Sequence, residues 1–199
     1  MKNVTALADQ VAALLRSAGV ENYDQTKHVF SEVRRVMELT PPKKRKVKVG
    51  PKTISFADLQ SFLLAAYDVS DEVGLMMATL YKTAAGVVEF TELAATDLQQ
   101  QEGILIVNTR SMGERREIII PPDLANLLGF HVGDRSSGAL FLSKRKGAYS
   151  VRRIQQLTRQ VSELAGLSDP ATPEMIRQTR LAHLREAGME EEDLKAYAG

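Results

Sequence analysis

Apolar side chains recur every three or four positions through the first 39 residues. Val4, Leu7, Val11, Leu14 and Leu15 fall on one stripe, and Val29, Phe30, Val33, Val36 and Met37 fall on another. This period predicts two amphipathic helices, Val4 to Ser17 and Asp24 to Leu39, broken between Gly19 and Tyr23. Helical spacing returns with Phe56, Leu59, Leu63 and Leu64 behind Ser55 as N-cap, then from Ser70 through Lys82 with Val73, Met76, Met77 and Leu80. After a break at Gly86 the period changes. The short β-branched runs Gly103 to Val107 and Glu117 to Ile120 flank the polar string NTRSMGERR and predict the two arms of a hairpin. Pro121 and Pro122 stop the second arm and open a short helix, Asp123 to Leu128. The apolar run from Ala139 to Leu142 fits either a strand or buried coil. Ser150 caps a further helix with Val151, Ile154, Leu157, Val161 and Leu164 inward. Pro173 then starts a helix that runs to Glu186 and ends at Gly188, and a last helix begins near Glu190. The sum is a mixed, mainly α fold with a small antiparallel β-hairpin or sheet.

Composition narrows the class. At 199 residues and 44% hydrophobic, the chain can bury one good core with a small module attached. It contains no cysteine, which excludes disulfide frameworks, thiolate metal sites and cysteine nucleophiles. The opening MKNVTALADQ has no charged-then-apolar signal pattern, and no window reaches the roughly 20 apolar residues of a membrane span. The expectation is a soluble, cytoplasmic, nucleoid-associated protein that makes no membrane contact. Net charge is only +1, but its placement is uneven. Arg34 to Lys52 carries eight basic residues against Glu38, while Glu186 to Asp193 carries five acids and no base. The string PPKKRKVKVGPK, residues 41–52, has nothing to bury and predicts an extended linker. It divides the chain into an N-terminal helical module (1–40), the basic linker (41–52) and a larger module (53–199).

Within that larger module RQTRLAHLREAG, residues 177–188, resembles the second signature of the tyrosine recombinases of the phage-integrase type, RHTFATHLLEAG, at Arg177, Thr179, His183, Leu184, Glu186, Ala187 and Gly188. The preceding SVRRIQQLTRQVSELAGL (150–167) is similar to the family's helix before that signature. EIIIPPDLANLL (117–128) echoes its strand ends, and LYKTAAGVVEFTELAATDL (80–98) falls where the family has its first signature, TGLRISELLAL. The resemblance covers residues 47–199. It implies a tyrosine-recombinase catalytic-domain fold preceded by a short, core-binding-like helical module, and a function in DNA recombination or integration with double-stranded DNA as partner and no small-molecule cofactor or metal.

The chemistry that the resemblance implies is demanding. A tyrosine hydroxyl attacks a DNA phosphate, two arginines clamp the non-bridging oxygens, and a hairpin lysine and histidines complete the set. Carried over by position, the first arginine falls on Val88 or its neighbour Glu89. The hairpin lysine falls in TRSMGERR, where Arg110 is the nearest cation. The two histidines fall on Glu174 and Gln178, and only Arg177 is retained. The family's nucleophile lies beyond LKAYAG, so Tyr197 is the substitute at hand, three residues from the chain end with no following helix to position it. The expectation is a non-cleaving, pseudoenzyme-like member that binds DNA. The alternatives are a non-catalytic partner of a full-length recombinase, with self-association as a variant, and an active recombinase with an unusual site.

The candidate phosphate contacts are Lys43, Lys44, Arg45, Lys46 and Lys48 in the linker, Arg110 in the hairpin, and Lys144, Arg145, Lys146, Arg152 and Arg153 at the start of a helix. The linker string also reads as plain solvated chain or as a nuclear-import-like signal, and the second cluster as ordinary surface. Arg177 is a phosphate ligand or a helix arginine paired with Glu174 or Glu92. His183 is expected as a satisfied core histidine, and His28 and His131 show no metal-ligand spacing.

Overall fold

The computed structural model describes residues 4–39, 52–108 and 115–199. The candidate contacts Lys43, Lys44, Arg45, Lys46, Lys48 and Arg110 lie outside the described residues. Two compact units divide the chain, Met1–Lys48 and Val49–Gly199.

The first unit holds α1 (Val4–Ser17) and α2 (Tyr23–Val36). The second helix starts one residue ahead of the periodicity because Asn22 caps it. The Asn22 side chain accepts from the Gln25 N–H, and the Gln25 side chain accepts from the Asn22 N–H in return. It stops at Val36, short of Leu39, because Glu38 turns left-handed (φ 54°) and the Leu39 N–H closes back on the Arg34 carbonyl. No residue of α2 is buried.

The second unit is built on α3 (Phe56–Val69) packed against α4 (Asp71–Thr83). Ser55 and Ser70 begin these helices, each accepting a backbone N–H three residues on. Next come α5 (Val87–Glu92), a 3-10 turn (Ala95–Asp97), β1 (Leu98–Gln99), β2 (Ile104–Asn108) and β3 (Arg115–Ile119). The chain ends in α6 (Pro122–Val132), α7 (Val151–Leu164), α8 (Pro173–Glu186) and α9 (Glu191–Ala198). The three strands form one antiparallel sheet in the order β1-β2-β3, with Leu105 opposite Ile118 and Val107 opposite Arg116. The predicted hairpin is therefore the larger part of a three-stranded sheet, whose two-residue β1 is too short to leave a period. Phe62, Met76, Met77, Leu80, Leu105, Ile118, Leu128, Ile154 and Ile176 make the centre of its core.

The helix predicted from Asp123 to Leu128 continues to Val132. Its last turn carries the exposed Phe130, which breaks the apolar stripe, and Gly133 (φ 56°) ends it. The run from Ala139 to Leu142 is buried coil pinned by single bridges, Ala94 to Ala139 and Leu142 to Ala148. A further difference is α5, six residues long and below the reach of any helical period.

Candidate functional site

Three segments meet around Arg177. The first is set by the end of α4. Ala84 adopts a left-handed conformation, and the Thr83 hydroxyl accepts the Ala85 N–H, so the chain turns out of α4 and reaches Gly86 in extended geometry. There α5 begins, and the Glu89 carboxylate accepts the Gly86 N–H at 2.8 Å. The second is β3. Alternation along the strand points Arg116 and Ile118 inward, so an arginine occupies a core-facing position. The third is α8, capped by Thr172 with Pro173 in its first turn. The helix is tied to the start of the unit by Thr179, whose hydroxyl accepts the Ile54 N–H at 3.0 Å and donates to the Met175 carbonyl.

The centre of this arrangement is a bidentate ion pair. Arg116 donates from Nη1 and Nη2 to the two carboxylate oxygens of Glu89, at 3.1 and 2.7 Å, with side-chain exposures of only 8% and 11%. Burial raises the Glu89 carboxyl, but the Arg116 hydrogen bonds, the Gly86 amide and the charges of Arg116 and Arg177 outweigh it and hold the group below the ordinary glutamate range. Arg177 Nη2 donates 2.8 Å to the Ala198 carbonyl at the end of α9, and its Nε is buried without a partner. Gly86 lets these groups approach, since a Cβ there would lie 3.2 Å from Arg177 Nη1 and 3.5 Å from a Glu89 oxygen.

Of the two positions assigned to the first arginine, Glu89 turns its carboxylate to Arg116 and the Gly86 N–H, and the Val88 carbonyl accepts the Thr91 hydroxyl. Glu174 and Gln178 hydrogen-bond to each other at 2.7 Å on the exposed side of α8, so Glu174 is engaged away from Arg177. The Tyr197 hydroxyl donates to the Lys82 carbonyl, which ties α9 to the end of α4. His183 shares a 2.9 Å hydrogen bond with the Tyr81 hydroxyl and packs edge-on to Phe56. Among the described residues no group of three or more His, Asp or Glu could hold a metal ion.

The second candidate region is a basic turn entering α7. Lys144, Arg145 and Lys146 project from a tight loop closed by the Ser143 N–H to the Gly147 carbonyl and the Lys146 N–H to the Ser143 carbonyl. Arg152 and Arg153 are exposed on the first turn of α7, behind the Ser150 cap. This places five exposed cations in the turn before α7 and on its first turn. The described residues show no hydrogen bond or ion pair linking this cluster to the Arg177 pocket.

Sequence reasoning missed Arg116. The signal was present, because Arg116, Ile118 and Ile120 alternate with Glu117 and Ile119, and that period puts the arginine on the core face.

Comparison with known proteins bears on the whole second unit. Residues 53–199 match the model of the Phage integrase family. The chain is 25% identical over 150 residues to the tyrosine recombinase XerD of Ralstonia nicotianae, covering 69% of this chain and 48% of that one. A crystal structure of XerA recombinase superposes with a TM-score of 0.68 at 18% identity, covering 98% of this chain and 74% of the other. A lambda integrase dimer bound to a COC′ core site gives 0.64 at 17% identity, covering 88% and 67%. The chain spans between 48% and 64% of the length of the curated relatives it matches. The mainly helical unit with its three-stranded antiparallel sheet is a tyrosine-recombinase catalytic-domain fold.

Proposed function

Because the chain belongs to the phage integrase family, we propose that it acts in DNA recombination as a protein that holds the backbone of duplex DNA without cutting it. The Glu89–Arg116 pair carries this proposal. Phosphoryl transfer to a tyrosine passes through a phosphorane bearing two negative charges, which needs guanidinium groups free to donate to it. Here neither Val88 nor its neighbour Glu89, where the resemblance places the first arginine, carries a guanidinium, and the Glu89 carboxylate takes two hydrogen bonds from Arg116. The group of Arg116, Arg177 and Glu89 then carries one net positive charge, with a fixed carboxylate that repels an incoming phosphate. Glu174 and Gln178 stand where proton-transferring histidines are required, and they bond to each other.

Binding needs less than cutting. Lys144, Arg145, Lys146, Arg152 and Arg153 offer exposed cations, and the first amides of α7 favour an anion. Neutralising five phosphates gives a slope of log affinity on log salt of about −4.5, so binding weakens roughly 500-fold between 50 and 200 mM salt. Anisotropy titration of a labelled duplex across that range tests this. A slope at least that steep supports the proposal, and absence of binding at 50 mM salt overturns it.

A further inference from the structure

Two cations near the end of α9, Lys82 and Arg180, have no counter-ion among the described residues. The Lys82 ammonium stands 5.5 Å from the centre of the Tyr81 ring, and the Arg180 guanidinium stands 5.5 Å from the same ring. Arg180 also lies 5.9 Å from the centre of the Tyr197 ring, so two aromatic side chains flank it. Among the described residues neither cation forms an ion pair, and Arg180 Nε is buried without a hydrogen-bond partner. Lys82 and Arg180 are close enough that, after burial, the charge of Arg180 further lowers the Lys82 ammonium below its ordinary value. Arg177 adds a third positive charge, three residues before Arg180 and so on the same side of α8. Glu89, whose carboxylate feels the charge of Arg177, is already held by Arg116.

Like charges gathered in a half-buried place are unfavourable unless an anion joins them. The end of α4 supplies only about half a negative charge through its dipole, against two full positive ones. The guanidinium is also already positioned. Tyr197 is fixed by its hydroxyl on the Lys82 carbonyl, and Tyr81 by His183, so little side-chain freedom remains to be lost when a ligand arrives.

We propose that Lys82 and Arg180, at the junction of α4, α8 and α9, form a binding site for a backbone phosphate of duplex DNA, with Tyr197 as the wall that positions Arg180. This rests on the DNA-binding function proposed above and adds a contact to it. It also gives Tyr197 a positioning role in place of a nucleophilic one.

The experiment uses the full chain, a labelled duplex of about 30 base pairs and a salt series. Lys82→Ala and Arg180→Gln are each expected to reduce the magnitude of the salt slope by about 0.9 and to weaken binding roughly eight-fold near 0.1 M salt, whatever the duplex sequence. Lys82→Glu weakens it further, and circular dichroism verifies that each variant is folded. In parallel, inorganic phosphate should shift the Arg180 side-chain nitrogen resonances saturably in the wild-type chain and not in Lys82→Ala. Tyr197→Leu should diminish that response, while Tyr197→Phe, which keeps the ring, should retain most of it. A wild-type chain that binds duplex while all three charge variants keep its slope and affinity overturns this site and leaves DNA binding standing. A wild-type chain that binds no duplex at low salt overturns the parent proposal instead. Saturable shifts with a carboxylate-terminated peptide but none with phosphate would overturn the site in favour of a protein tail.

Discussion

Replacing Glu89 by glutamine keeps the size of the side chain and removes its charge. In the native pocket that carboxylate takes two hydrogen bonds from Arg116 and one from the Gly86 amide. An amide has one carbonyl oxygen, and its NH2 group would point a donor at another donor. Breaking a buried ion pair from one side costs about 3–5 kcal/mol, because the remaining charge stays in a poorly solvated place. With both side chains around a tenth exposed, the lower end of that range, about 3 kcal/mol, is the expected loss. For a cooperative unit of this size, about 3 kcal/mol lowers Tm by roughly 6–12 °C. Denaturant unfolding and calorimetry measure both quantities. The pH dependence has a definite direction. The fold holds the Glu89 carboxyl below its unfolded value, so its contribution is complete above the ordinary carboxylate range and disappears as pH falls through the lower folded value. The wild-type advantage over Glu89→Gln should therefore stay constant from pH 8 to about 5 and shrink below about 4.3. A loss under about 1 kcal/mol at pH 7, or an advantage that grows on acidification, would refute the pairing as the main role of Glu89.

Other positions offer independent checks. Thr179→Val removes the acceptor for the Ile54 N–H inside the core and should cost about 1–3 kcal/mol in denaturant unfolding. Tyr197→Phe deletes a single hydrogen bond to the Lys82 carbonyl and should cost about 1 kcal/mol, visible as faster amide exchange in α9. Charge reversal of Arg152 and Arg153 together should reduce the magnitude of the salt slope of duplex binding by about 1.8 and leave Tm nearly unchanged, since both side chains are exposed. Ser150→Ala should destabilise α7 by about 1 kcal/mol through loss of its cap.

The elements easiest to read from the sequence were those with long apolar periods and chemical punctuation. Pro173 and Gly188 bracket α8 from its first residue to its C-terminal turn, and the serine caps mark α3, α4 and α7 in the same way. Short elements escaped because they leave no period. Six-residue α5 is stabilised by Glu89 reaching back to an unpaired amide, and β1 has two residues paired to Ile104 and Leu105. The site was legible only in part. Arg177 could be found from its signature, and Glu89 as one of two positions for the first arginine. The partner that makes Glu89 informative, Arg116, is 27 residues away on a strand. Lys82 and Arg180 are separated by 98 positions and meet through aromatic rings, a juxtaposition that no local pattern encodes.

Phosphate holding without cutting is tested most directly by a pool of nicked duplexes of random sequence, incubated with the chain at saturating concentration and resolved with and without SDS. A nick beside the attacked phosphate lets the cleaved strand escape and traps any tyrosyl–DNA bond. The account predicts a complex under native conditions and no SDS-resistant adduct. An SDS-resistant adduct would contradict it, by showing that a pocket with Glu89 bound to Arg116 still stabilises the phosphorane.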